Sequence, residues 1–462
     1  MAEPLHVVGG SVAALVAALT AARHRPVELY LDPARAGGGF AGLRLGGSWL
    51  PLGMRLLELD YEDPLEARRP LADYDPARDD HRPFIDVLRR HLEEWLGPEL
   101  IAAPAPEMLW EGRRTTCALT SADIATLPPL MAPSLRARIA AEAGALLRDP
   151  APPAWRFLPG RAARLEAVGL EAASRDNHGA TLHSMLLAPL AARVDPTGWA
   201  ACPATERRKL WAALFHPRTV LEAFRDGRTS FRPRRPFATL RRGGMAGAVR
   251  RMLAALRASP AVRLHRVGRL TGLARRGEEL LLDFDGRRTR LPTRSAAFGL
   301  GAEEAFAAAG LAYAPNRLRA GFAWMAVREA ELLHIPSALL LCGAGAPAFR
   351  ISDGGMVAPG ERRLTIEFGD MAAAPGADAA RAALEAAGLL RPGAAPRLLH
   401  ALAGPAQVAP SEANRQAHET AATAFRTALG GRPRILGGAR RFGFESFNDQ
   451  MVDGLHCGQC QG

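Results

Sequence analysis

The most constraining feature of this chain lies near its start. Residues 5–14, LHVVGGSVAA, carry an apolar run into two glycines and a serine; the stretch VAALVAALTAA follows, and then VELYLD at 27–32. A short apolar run closed by glycine reads as a buried strand, and the Ala/Leu-rich stretch reads as a helix. The order is strand, turn, helix, strand, the opening of a doubly wound sheet. A secretion signal would need a positive segment before its apolar run, whereas MAEPLH has an acid and no Arg or Lys.

In a dinucleotide fold the first turn must be built from small residues, so that backbone N–H groups at a helix N-terminus can approach a pyrophosphate; the usual spacing is G-x-G-x-x-G/A. Here it reads Gly9-Gly10-Ser11-Val12-Ala13-Ala14. Ser11 replaces the second glycine, and its hydroxyl could itself face a phosphate. An acid should close the second strand about twenty residues on and hold a ribose hydroxyl. Asp32 stands there, directly after VELYL. A tight turn onto a core helix would account for the glycines but not for the acid.

The rest of the chain bounds the options. Its 462 residues allow two or three domains. No apolar run of about 20 residues lacks charge, so no transmembrane helix is expected. The net charge is +12, and a single lysine, Lys209, stands among the arginines. A basic balance suits an anionic substrate or a membrane surface, so peripheral membrane contact stays open. The Arg pairs (Arg241-Arg242, Arg250-Arg251, Arg275-Arg276, Arg287-Arg288) are scattered, which argues against nucleic acid. Five widely spaced cysteines make no disulfide framework, and a reducing cytoplasm is the expected location. Cys457-Gly-Gln-Cys460 is a CxxC without a second half to complete a zinc site, so no metal is expected. It reads as an incidental tail, with a redox relay as the alternative.

Further along, 43–53 alternates like a hairpin and 81–96 carries helix signals. Residues 120–230 are mostly helical in pattern. FATLRRGGMAGAVRRMLAAL, from 237, is a glycine turn entering a helix. Strands follow with a turn at Asp285-Gly286, then AAFGLG at 296–301 and further strands between 335 and 370. Residues 378–430 return to helical patterns, and a strand, a glycine turn and a helix end the chain.

Four patches together resemble the FAD-dependent flavoproteins of the amine oxidase, protoporphyrinogen oxidase and UDP-galactopyranose mutase type. The first joins VVGGSVAAL, VELYLD and GGG at 37–39, with LPLGMRLLE at 50–58. The second is LRRGGMAGAVRRML with VRLHRVGRL. The third is PAFRISD with RRLTIEFGD, and the fourth ARRFGFESFNDQMVDGL. The likeness covers about half of the chain, and residues 60–230 have no match. It implies a bound FAD. Gly38 and Gly39 would meet its phosphates, with Phe40 where an arginine is common. Val267 would meet the adenine through its backbone. Gly53 and Arg55 would pass the flavin ring, and Gly438, Arg441, Gly443, Asn448, Asp449 and Gln450 would close over it. A helix N-terminus is suited to the negative charge a reduced flavin gathers, and Asn448 and Asp449 read as N-cap residues.

The expected fold class is α/β: a doubly wound, Rossmann-like FAD-binding domain (the type shared with NAD(P)-binding proteins) with a mixed α+β substrate domain. The divisions read as 1–59, 237–302 and 431–462 for the FAD-binding domain, 60–236 for a helical substrate region and 303–430 for a substrate sheet with helices. The expected function is removal of hydride from a partly apolar, anionic small molecule. Arg55 and Arg350 are the candidate catalytic residues, with Arg441 adding positive charge; a structural ion pair is the alternative for Arg350. Lys209 sits in an unmatched segment, which disfavours familiar amine oxidation. Phe444 and Phe447 stand where sugar mutases carry tyrosines and cannot donate a hydrogen bond; core packing is their alternative role. A redox-neutral mutase-like enzyme and a non-catalytic accessory protein remain as rivals, and the oligomeric state is not legible.

Overall fold

The computed structural model describes residues 3–45, 48–53, 56–59, 68–121, 123–148, 168–195, 202–210, 214–229, 237–342, 345–346, 348–443 and 446–459. Arg55, Phe444 and Cys460 lie outside them.

The first sheet has five parallel strands, in the order Val262–Arg266, Val27–Leu31, Leu5–Val8, Ala296–Phe298 and Arg434–Ile435. It draws its strands from the beginning, middle and end of the chain. Its first helix, Val12–Ala21, is apolar on every side and buried at nine of ten positions, as a helix enclosed by the core must be. The closing helix, Phe447–Gln459, packs along it. A Cβ added at Gly454 would lie 2.5 Å from the Ala13 carbonyl oxygen, and one at Gly458 would lie 2.5 Å from Thr20 Cβ. These two glycines let the helices meet backbone to backbone. The CxxC stretch is thus part of a packed helix as far as Cys457, which is buried and whose carbonyl accepts from Arg434.

The second sheet has seven strands, in the order Arg397–Val408, Arg317–Arg328, Glu361–Gly369, Arg350–Ala358, Ala338–Leu341, Glu107–Trp110 and Arg113–Thr116. Two expectations need correction here. Residues 397–408, inside the stretch read as helical, form a long strand against Arg317–Arg328. Residues 107–116 form a hairpin that extends the same sheet. Small apolar residues in RLLHALAGPAQV fit either period, and the partner strand decides. The Asp285-Gly286 turn is as expected: both residues have positive φ, 44° and 87°, the conformation a two-residue hairpin turn requires.

A helical layer containing Pro133–Arg148, Leu170–Leu182 and Pro217–Asp226 surrounds its own core. His178 is fully buried there. The Phe215 N–H donates to its Nε2 at 2.8 Å, so its proton sits on Nδ1 and faces Ser174 Oγ at 3.2 Å. Ser174 Oγ in turn lies 2.9 Å from His183 Nδ1. Burial holds the His178 pKa down at about 3, so the ring is neutral throughout the physiological range.

Candidate functional site

A cleft of about 540 Å³ opens at the carboxyl ends of the parallel strands, where ligands bind in open α/β sheets. Its walls are set by local chemistry. Gly9 has φ +110°, and a Cβ there would lie 2.4 Å from the Gly299 carbonyl oxygen. Only glycine lets the first strand turn that close to its neighbour. A Cβ on Gly299 would in turn lie 2.7 Å from Ser11 Oγ. Sequence reasoning missed Gly299; the strand-then-glycine pattern in AAFGLG is the signal that could have found it.

Ser11 caps the first helix: its side chain accepts the Ala14 N–H at 3.2 Å. Its oxygen is therefore engaged by the helix as an acceptor, while the hydroxyl proton is still available to donate from the cleft wall. Ala14 is buried behind the turn and does not line the cleft. The Val12 and Ala13 N–H groups have no acceptor within the helix, whose first backbone bond runs from the Leu15 N–H to the Ser11 carbonyl. With no acid in the first turn, the positive end of the helix faces the cleft.

Asp32 lines one end of the cleft, where its Oδ1 accepts the Ala34 N–H at 2.9 Å. Gly38 and Gly39 line it as well, and a Cβ on either would meet nothing within 4 Å, so open space lies over both. Val267 is at the same end as Asp32, but its N–H donates to Leu31 O at 3.0 Å. Only its carbonyl is left for a ligand. At the far end the walls are Gly438, Phe442, Gly443, Gln450 and His418.

The remaining predicted residues fall elsewhere. Asn448 Nδ2 donates to the Glu58 carbonyl at 2.7 Å. Asp449 Oδ1 accepts from the His81 backbone N–H at 3.0 Å, and the His81 ring Nδ1 lies 2.7 Å from it. Neither residue is the N-cap. Ser446 is: its Oγ accepts the Asp449 N–H at 3.1 Å and its carbonyl accepts the Gln450 N–H at 3.1 Å. The motif's first turn therefore ties the closing helix to Glu58 and His81, and only Gln450 of the three lines the cleft. Arg441 donates to the Asp79 carbonyl at 3.3 Å and lines a neighbouring cavity instead.

Arg350 and Glu367 are register partners on adjacent strands, both nearly inaccessible, joined by two hydrogen bonds of 2.6 Å. The pair stands under Gly53, where a Cβ would lie 3.2 Å from Arg350 Nη2. Trp324, on the next strand, donates its indole N–H to the Pro51 carbonyl at 2.9 Å. This sheet face therefore positions the Pro51–Gly53 segment. The reading of Arg350 as a substrate ligand gives way to its alternative, a structural ion pair.

Sequence analysis set Lys209 aside because its segment had no match. Its Nζ lies 4.5 Å from the centroid of the Phe442 ring and 3.8 Å from Glu206 Oε2. The chain's single lysine thus stands behind the cleft wall. Composition alone singles it out. Among the described residues no group of three or more His, Cys, Asp or Glu is placed to hold a metal ion, and no helix is long and apolar enough to cross a membrane.

A glycine-lined cleft at a parallel sheet, with a second, mostly antiparallel sheet and a helical layer beside it, defines a Rossmann-like dinucleotide-binding architecture. Over nearly its whole length the chain is similar to a crystal structure of reduced UDP-galactopyranose mutase, with a TM-score of 0.67 at 12% identity, covering 99% of this chain and 95% of that one. It is also similar to a putative protoporphyrinogen oxidase from Exiguobacterium sp. 255-15 (TM-score 0.54, 13% identity, 98% and 97% covered) and to a putrescine oxidase (TM-score 0.50, 15% identity, 99% of both). The fold is the one the four sequence patches implied. No family model matches the chain, and no curated protein matches its sequence.

Proposed function

We propose that the cleft holds FAD and that the chain is an FAD-dependent oxidoreductase acting on a partly apolar, anionic small molecule. The observation that carries this reading is the composition of one cleft. The Gly9–Ser11 turn, Asp32, the Gly38-Gly39 pair, Val267, and Gly438, Gly443 and Gln450 come from the beginning, middle and end of the chain and line a single cavity of about 540 Å³. The residues present fit such a group: space over Gly38 and Gly39, a helix N-terminus with no acid in its first turn, and a carboxylate at the end of the second strand. Bound FAD would supply an acceptor for one hydride, that is two electrons with a proton; binding and orientation come from the protein. In this reading the first-turn backbone faces the diphosphate, Asp32 holds a ribose hydroxyl through the oxygen not engaged by Ala34, and Gln450 with Gly438 borders the flavin. Trp324 and the Arg350–Glu367 pair hold Pro51–Gly53 in place beside it. Arg55 keeps the role of candidate anion ligand.

The test is the absorbance of the purified protein between about 350 and 500 nm, where a bound flavin shows. A yellow protein that bleaches with dithionite and turns over a substrate in its oxidised form supports the reading. Activity confined to the reduced form would indicate a redox-neutral mutase, and a colourless protein that takes up no FAD would indicate an accessory role.

A further inference from the structure

The two large sheets have four edge strands, and three of them are guarded. An edge presents unpaired N–H and C=O groups to any passing strand, so proteins shorten it, charge it or cover it. Arg434–Ile435 is two residues long. Val262–Arg266 carries Arg263 and Arg266, both exposed. Arg113–Thr116 is four residues long with two arginines, and Arg114 reaches over to donate to the Ala387 carbonyl at 3.0 Å.

The fourth edge, Arg397–Val408, is different. It runs for twelve residues, RLLHALAGPAQV, and Arg397 at its first position is its only Arg, Lys, Asp or Glu. Its inner side pairs with Arg317–Arg328. Along its outer side, among the described residues, no backbone group of another element bonds to it. Residues 398–404 are all half-buried, so apolar side chains stand at the rim of both sheet faces instead of alternating with polar ones. The inner pairing is one-to-one from His400 to Pro405, with a register shift on either side. A regular run without an acid, Lys or Arg is thus left open at the middle of the strand.

We propose that this strand is a self-association surface, pairing antiparallel with the same strand of a second copy of the chain across a two-fold axis near Leu402 and Ala403. The strand itself argues for a second copy as the occupant. About that axis the run His400–Pro405 maps onto itself, so each copy offers the other a partner of matching length. His400 then faces Pro405 of the other copy. The two Arg397 side chains lie at opposite ends of the pair, so no like charges meet, whereas in-register parallel pairing would set one against the other. Leu399, Ala401, Leu402 and Ala403 are carried further out of water. The result is one continuous sheet through both copies, in which the parallel sheet and its cleft take no part.

Sedimentation equilibrium of the full-length protein at micromolar concentrations is expected to give a particle of twice the 49.3 kDa chain. Ala403→Lys sets two ammonium groups beside the axis and should raise the dimer dissociation constant about tenfold or more, with an unchanged circular dichroism spectrum. Hydrogen exchange of the unaltered protein gives a second reading that needs no variant. Amides within 398–407 should exchange more slowly in the dimer than in the diluted monomer, and those of Val262–Arg266 at the same rate in both. If Ala403→Lys does not fold, hydrogen exchange decides alone. A protein that stays monomeric overturns the proposal, as does a dimer whose dissociation constant is unaltered by Ala403→Lys or in which 398–407 gains no protection.

Discussion

The two sheets place chemistry by opposite means. Along the cleft of the parallel sheet, the working groups are backbone amides and missing side chains: Gly9 and Gly299 allow close approach, and Gly38 and Gly39 leave open space. In the antiparallel sheet the corresponding face is held by large side chains matched across strands, Arg350 with Glu367 and Trp324 against Pro51. The first arrangement tolerates almost no added atom at its tightest points. The second tolerates changes in pairs but not singly.

Variants probe that difference most directly where the effect is largest. Gly9→Val forces a side chain into the Gly299 carbonyl at positive φ. It should cost on the order of 4 kcal/mol or more and remove most soluble folded protein, read by yield and thermal denaturation. Glu367→Gln leaves Arg350 buried without its carboxylate and should cost about 3–5 kcal/mol in urea unfolding, whereas the double change Arg350→Met, Glu367→Leu should recover most of that. If the double variant is no better than the single one, the pair does more than hold the sheet. A smaller effect comes from the helical layer. His178 is buried neutral with its pKa depressed to about 3. The unfolded chain therefore binds the extra proton first, and the contribution is complete above about pH 6.5 and lost as pH falls toward 3. Between pH 7 and 5 this residue alone should remove about 2 kcal/mol, and His178→Gln should flatten that slope.

Two changes then separate binding from stability at the cleft. Asp32→Ala should weaken FAD uptake about tenfold with little shift in melting temperature, as loss of a charged hydrogen bond to the ligand requires. Gly38→Ala, with open space above it but φ +53°, should cost only about 1 kcal/mol. An Asp32 variant that binds FAD as tightly as the unaltered chain would remove the sugar contact from the proposed function.

The same contrast explains what could be read from the sequence. The parallel sheet and its turn were legible because a glycine at a strand end and an acid after the next strand are local patterns with few other causes. The Arg350–Glu367 contact was not, since it depends on the register of two strands, and neither was the strand Arg397–Val408, whose small apolar residues suit either period. The closing motif was half legible. Its helix and the place of Gln450 follow from the sequence, but the cap moved back to Ser446, and Asn448 and Asp449 bond to Glu58 and His81 rather than lining the cleft. Lys209 was set aside because its segment matched nothing; only the fold brings that segment to Phe442.

The glycine seam at Gly454 and Gly458 has a consequence for biosynthesis. The helix Val12–Ala21 is synthesised long before the helix Phe447–Gln459 that covers it. Until the second of them has been made, the greasy first one lacks this native cover, and contacts so distant along the chain form slowly. A side chain placed at Gly454 would part the two helices and leave the earlier one without its shield.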